Sequence, residues 1–82
     1  MKILYFAKLK QLIGKSEDYL SIKHKKKISE IIDELRQIDK NYSLAFDQVQ
    51  NLQYAVNCEY VDKNYYVRDE DELALFPPVT GG

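Results

Sequence analysis

Ile28, Ile31, Ile32, Leu35 and Ile38 recur at helical spacing in a chain of only 82 residues. That stripe sets what the remaining residues must build. A helix with one apolar face needs one apolar surface to cover, and here that surface is expected to be a sheet. The spacing predicts a helix over residues 28–40. Glu30, Asp33 and Glu34 lie early and Arg36 and Lys40 late, which suits the helix dipole. Ser29 is the candidate N-cap.

Short runs of β formers flank the stripe. Ile3-Leu4-Tyr5-Phe6-Ala7 reads as a strand buried on both faces, central in a sheet. Leu9, Leu12 and Ile13, followed by Gly14, predict one or two helical turns with a glycine stop. Residues 17–22, with Leu20 and Ile22 on one face, are expected to form a hairpin with the first strand. After the helix, Asn41-Tyr42-Ser43 breaks the pattern, and residues 44–49 are either a short helix or irregular. Residues 54–58 read as a strand, with Asn57 opening a turn into Glu59-Tyr60-Val61. A turn at 62–64, a short extended piece at 65–67 and the acidic turn Asp69-Glu70-Asp71-Glu72 lead to the last strand, Leu73-Ala74-Leu75-Phe76. A hairpin, one main helix crossing a mixed sheet and a final strand make a two-layer α+β sandwich. With the final strand beside the first, mid-sheet, this is the β-grasp arrangement of ubiquitin-like proteins.

Composition narrows the function classes. The length fits one domain, and 45% hydrophobic with 30% charged residues fits a soluble globular protein. A net charge of −1 gives a nucleic-acid partner no global support. The one cysteine, Cys58, excludes an internal disulfide, and no Cys/His set has zinc-ligand spacing, so no metal site is expected. Asn57 and Glu59 are not the electropositive setting that activates a thiol, so Cys58 is expected to be a structural strand residue. The apolar start stops at Lys8, too short for a signal sequence, and nothing reaches the length of a membrane span. A cytoplasmic, reduced setting with no membrane partner is the expectation. Lys23-His24-Lys25-Lys26-Lys27 is the densest charge run. It reads as a solvated loop; the functional alternative is a basic patch for an anion or an acidic partner. His24 has no partner in sequence that would make it catalytic or a metal ligand.

No P-loop pattern, Ser/His/Asp arrangement or metal cluster suggests a self-contained active site, and the paired carboxylates of Asp69 to Glu72 lie in a turn rather than a cleft, where they are expected to be solvated. What stands out instead is Phe76-Pro77-Pro78-Val79-Thr80-Gly81-Gly82. The two prolines lack an N–H and push their predecessors toward extended conformations. The chain is therefore expected to leave the last strand at Phe76, dividing into a domain over residues 1–76 and an extended, flexible tail over 77–82. Val79 and Thr80 keep that tail stretched, and six residues at ~3.3 Å each reach about 20 Å. The glycines leave a thread narrow enough for a constricted channel. The plain alternative is a frayed terminus.

The whole chain resembles the MoaD-type sulfur carriers, the small subunits of molybdopterin synthase. Leu75-Phe76-Pro77-Pro78-Val79-Thr80-Gly81-Gly82 looks like the family's terminal signature. Ala55-Val56-Asn57 with Glu59-Tyr60-Val61, and Tyr5-Phe6-Ala7-Lys8-Leu9-Lys10 with Leu12-Ile13-Gly14, resemble family segments. Two positions depart from the pattern. Glu70 stands where the acidic turn usually has glycine, which costs up to about 1 kcal/mol if φ must be positive. Cys58 stands where the family often has a polar residue.

The resemblance implies a carrier whose reactive group is the Gly82 carboxylate. A ubiquitin-activating-like enzyme would adenylate it with ATP bound by that enzyme, the chain itself binding no cofactor. A persulfide donor would convert it to a thiocarboxylate. The carrier would dock on the large synthase subunit, in a heterotetramer, and pass sulfur to the pterin precursor, cyclic pyranopterin monophosphate, for the molybdopterin dithiolene. Gly81 would let the backbone pass a narrow site. Pro77, Pro78, Val79 and Thr80 would guide the tail, and Phe76 would anchor the interface, the alternative being a plain core position, with an apolar sheet surface nearby completing it. The other readings are a thiamin-type carrier, a ubiquitin-like modifier and a plain interaction module.

Overall fold

The computed structural model describes residues 1–78. β1 (Lys2–Tyr5), β2 (Glu17–Tyr19), β4 (Gln53–Val56), β5 (Glu59–Val61) and β7 (Glu72–Phe76) form one mixed sheet in the order β2-β1-β7-β4-β5. β3 (Lys26–Lys27) and β6 (Tyr66–Val67) form a separate antiparallel ribbon. The helices are α1 (Ala7–Ile13), α2 (Ile28–Ile38) and α3 (Lys40–Gln48). β7 runs parallel to β1 and antiparallel to β4. This is the ubiquitin-like β-grasp fold, with the last strand at the centre.

Side-chain alternation sorts the sheet into two faces. Ile3 and Tyr5 of β1, Leu73 and Leu75 of β7 and Val56 of β4 are buried. They share one core with Ile28, Ile31, Ile32 and Leu35 of α2. A Leu75→Ala change in such a site costs about 2–5 kcal/mol. Lys2, Leu4, Ala55, Ala74 and Phe76 alternate onto the opposite face.

Several expectations need correction. β1 is not buried on both faces: Leu4 is only half-buried, and Ala7 already opens α1. The stripe of α2 ends at Leu35. Asp39 adopts an extended backbone and caps α3, its carboxylate accepting from Asn41 N–H at 2.8 Å, and Ile38 is left 63% exposed. Asn41-Tyr42-Ser43 therefore continues as helix. The N-cap of α2 is Lys27 rather than Ser29, and Glu30 accepts from the Lys27 N–H at 3.1 Å. Within the basic run, Lys26 and Lys27 are strand residues, because β6 supplies a ladder partner that sequence pattern does not reveal. Gly14 ends α1 at φ 90°, and its N–H donates to the Lys10 carbonyl, as the stop signal implies.

Cys58 is no strand residue. Val56 pairs with Glu59, leaving Asn57 and Cys58 as a two-residue hairpin loop at φ 50° and 71°. Both positive values fit the type I′ turn, whose twist matches the flanking strands. Glu70 is not at positive φ, so the missing glycine imposes no left-handed strain there. The acidic turn is also bonded rather than simply solvated. Asp69 accepts from Ile22 N–H at 3.0 Å and from the Met1 amino group at 3.2 Å. Asp71 accepts from Arg68 N–H at 2.8 Å and from the Asn57 amide at 3.0 Å. No helix of the described residues is long and apolar enough to cross a membrane.

Candidate functional site

The face of the sheet turned away from α2 carries the candidate site. Register places Ala55 of β4 opposite Ala74 of β7 on one side and opposite Tyr60 of β5 on the other. Alanines at the crossing point keep the surface low, and aromatic rings rise around it. The result is an open apolar groove of about 570 Å³. It is lined by Phe6, Ala7, Ala55, Cys58, Tyr60, Ala74, Phe76, Pro77 and Pro78. The lining contains no Asp, Glu, His, Lys or Arg, so the groove is suited to binding rather than acid–base catalysis.

Two local features build its walls. Tyr60 is 76% exposed, and its ring meets Phe76 edge-on, with centroids 5.7 Å apart and planes at 65°. On the far side, Phe6 N–H donates to the Leu75 carbonyl at 3.2 Å, extending the β1–β7 ladder by one residue. The chain then turns at Ala7, with φ 53°, and leaves Phe6 46% exposed. A left-handed alanine costs roughly 1–2 kcal/mol, and here it sits on the rim of the groove.

Phe76, expected to anchor an interface, lies on this outer face rather than in the core, half-buried, and directly precedes the prolines. Pro77 and Pro78 line the groove with it. Val79, Thr80, Gly81 and Gly82 lie outside the described residues. The structure adds Phe6, Ala7, Ala55, Tyr60 and Ala74; sequence reading met the first four only within family-like segments and did not place any of them in a site. Alternation in strands this short was too brief to reveal them. Among the described residues, no three of His, Cys, Asp or Glu converge as metal ligands.

The clustered titratable groups lie elsewhere. Asp18 of β2 accepts hydrogen bonds from Tyr5 at 2.8 Å, from Lys15 at 3.0 Å and from Tyr42 of α3. Burial pushes the Asp18 carboxyl up, but the bonds from Tyr42, Lys15 and Tyr5 outweigh it and hold the group below its ordinary value. Burial, reinforced by the bond to Asp18, raises the Tyr5 phenol far above the usual tyrosine range. The cluster pins α3 to the β1–β2 hairpin and includes no residue of the groove. Its role is structural.

The chain is similar to known proteins along its whole length. A molybdopterin synthase sulfur carrier subunit from Anopheles gambiae is 36% identical over 90 residues, covering 100% of this chain and 91% of the relative. The small archaeal modifier protein 1 of Haloferax volcanii shares the fold, with a TM-score of 0.78 at 22% identity over 96% of this chain and 97% of that one. So does a chain in the complex of subunits 1 and 2 of molybdopterin-converting factor from Helicobacter pylori 26695, with a TM-score of 0.63 at 20% identity over 99% and 96%. The ThiS family model matches residues 3–82, so the chain belongs to the ThiS/MoaD family.

Proposed function

We propose that this chain is the sulfur-carrier subunit of a molybdopterin synthase. The observation that carries the reading is the continuity of the apolar groove with Phe76, Pro77 and Pro78. A partner gripping the outer face thereby grips the root of residues 79–82. The name of the Anopheles gambiae relative and the two-subunit complex from Helicobacter pylori support the same reading. The occupant of the groove is then the large synthase subunit at one stage of the cycle and an adenylating enzyme at another.

In the proposed cycle, the Gly82 carboxylate attacks the α-phosphate of ATP held by the adenylating enzyme, and pyrophosphate leaves. A carboxylate is a poor electrophile; the acyl-adenylate makes its carbonyl reactive. The outer sulfur of a persulfide displaces AMP, and cleavage of the S–S bond by a thiol releases the Gly82 thiocarboxylate. Docked on the large subunit, the thiocarboxylate gives its sulfur to the pterin precursor, and water restores the carboxylate. Two loaded carriers supply the two sulfurs of the dithiolene. Pro77 and Pro78 restrict the approach to the reactive end, which lowers the ordering cost of docking.

Intact-mass analysis after co-expression with an adenylating enzyme and sulfur donor tests this. The expected result is a single oxygen-to-sulfur exchange at Gly82, absent when Gly82 is deleted. A Gly82-deleted chain that still restored synthase activity would end the proposal. Capture of the chain in isopeptide bonds to protein lysines would transfer it to the modifier class.

A further inference from the structure

The cations of residues 23–27 take no part in the groove. Around β3 the backbone is extended and successive side chains alternate. Lys26 turns toward α2, where its Nζ meets Glu34 at 2.7 Å. Lys25 and Lys27 lie over one ring, Tyr66 of β6, with Nζ atoms 5.0 and 5.9 Å from its centroid. Register pairs Lys27 with Tyr66 and Lys26 with Val67, which leaves Lys25 and Arg68 at the same end of the ribbon. Lys23, Lys25 and Arg68 line a recess of about 340 Å³ with Ile22, Asp69 and Glu70.

Among the described residues, the ion pairs involve Met1, Lys2, Lys15, Lys26 and Arg36, and none involves Lys23, Lys25, Lys27 or Arg68. Asp69 in the recess already accepts from Ile22 and Met1. The ribbon thus keeps an excess of positive charge at a defined place in a chain whose net charge is −1.

We propose that the β3–β6 ribbon is a second docking surface, one that takes an acidic segment of a partner protein. Lys25 and Lys27, two residues apart around β3, stand roughly 6–7 Å apart along the backbone, the spacing of alternate carboxylates on an extended peptide. Tyr66 holds both ammonium groups in place, which reduces the side-chain entropy lost on binding. Asp69 and Glu70 bound the patch. A phosphodiester chain or an anionic bilayer would meet those carboxylates and would need a longer cationic track. A short acidic segment needs only the pair Lys25 and Lys27 over Tyr66. No residue lines both the recess and the groove, so a partner can hold the ribbon while the groove and tail engage another.

The test is an NMR titration of the isotopically labelled full chain at low salt with a synthetic peptide of alternating glutamate and serine. Shift changes should concentrate at residues 23–27 and 65–69 and vanish at high salt. Lys25→Ala with Lys27→Ala should weaken binding about fivefold or more, whereas Lys8→Ala with Lys10→Ala on α1 should leave it unchanged. Arg68→Gln provides a second variant should the double one fail to fold. Absence of binding, or shifts scattered over all lysines, overturns the proposal. So does tighter binding of a single-stranded oligonucleotide or a phosphatidylserine vesicle than of the peptide.

Discussion

Tyr60 on β5 and Phe76 on β7 touch across β4, ring edge to ring face, with centroids 5.7 Å apart. On β4 the register sets Ala55 beside Tyr60 and Gln53 beside Phe76, so the two rings from non-adjacent strands meet on a diagonal across it. Replacing either ring by alanine should cost the fold only about 0.5–1.5 kcal/mol, because the pair is on the outer face. Affinity for the large synthase subunit should fall far more, tenfold or greater, if these rings are the anchors of the interface. Thermal melts and calorimetric titration of Tyr60→Ala and Phe76→Ala would separate the two effects. Equal losses in stability and binding would return Phe76 to a purely structural role.

Asp18 makes stability depend on acid. Its folded-state value is held below the ordinary carboxylate value of about 3.9. The stabilisation it brings is therefore complete above that ordinary value. It is lost as pH falls through the lowered, folded-state one. Asp18→Asn should flatten this acid limb in urea unfolding curves. Tyr42→Phe, which removes one bond to the carboxylate, should cost about 1–3 kcal/mol at neutral pH.

Cys58 sits at φ 71° in the second position of the hairpin loop, after Asn57. Asn-Gly is the preferred pair for such a loop. Cys58→Gly should raise stability by about 0.5–1 kcal/mol by relieving the left-handed strain, seen as a higher midpoint in denaturant. A lower midpoint would show that the side chain contributes more through the groove than the strain removes.

Gly81→Ala tests the narrow-channel reading of the tail. Adenylation should slow at least tenfold while the unfolding midpoint stays within error of the parent, because the described core is built from residues between Met1 and Leu75. Equal adenylation rates in the two proteins would remove the steric argument for glycine there.

The legible parts of the fold were those with strong local signals. Ile28, Ile31, Ile32 and Leu35 are buried as their spacing required, and β7 stops at Phe76, where the prolines begin. The missed parts depended on non-local partners. Lys26 and Lys27 become a strand because β6 pairs with them. Ile38 continues the apolar spacing, yet Asp39 offers its carboxylate to Asn41 and starts another helix. For the site, Phe76 and the prolines were visible as a peculiar run. Phe6, Ala55, Tyr60 and Ala74 were not, since only the strand order brings them onto one face.

The central place of β7 also has a mechanical consequence. A tail hung from an edge strand could be peeled away one hydrogen bond at a time. β7 is laddered to β1 on one side and β4 on the other. Tension applied beyond Phe76 runs along the strand axis and loads both ladders in shear, so their bonds must yield together. Under the proposed function, the adenylating enzyme would thus be able to draw the end of this chain deep into a cleft, and let it go again, without unravelling the domain that delivers it.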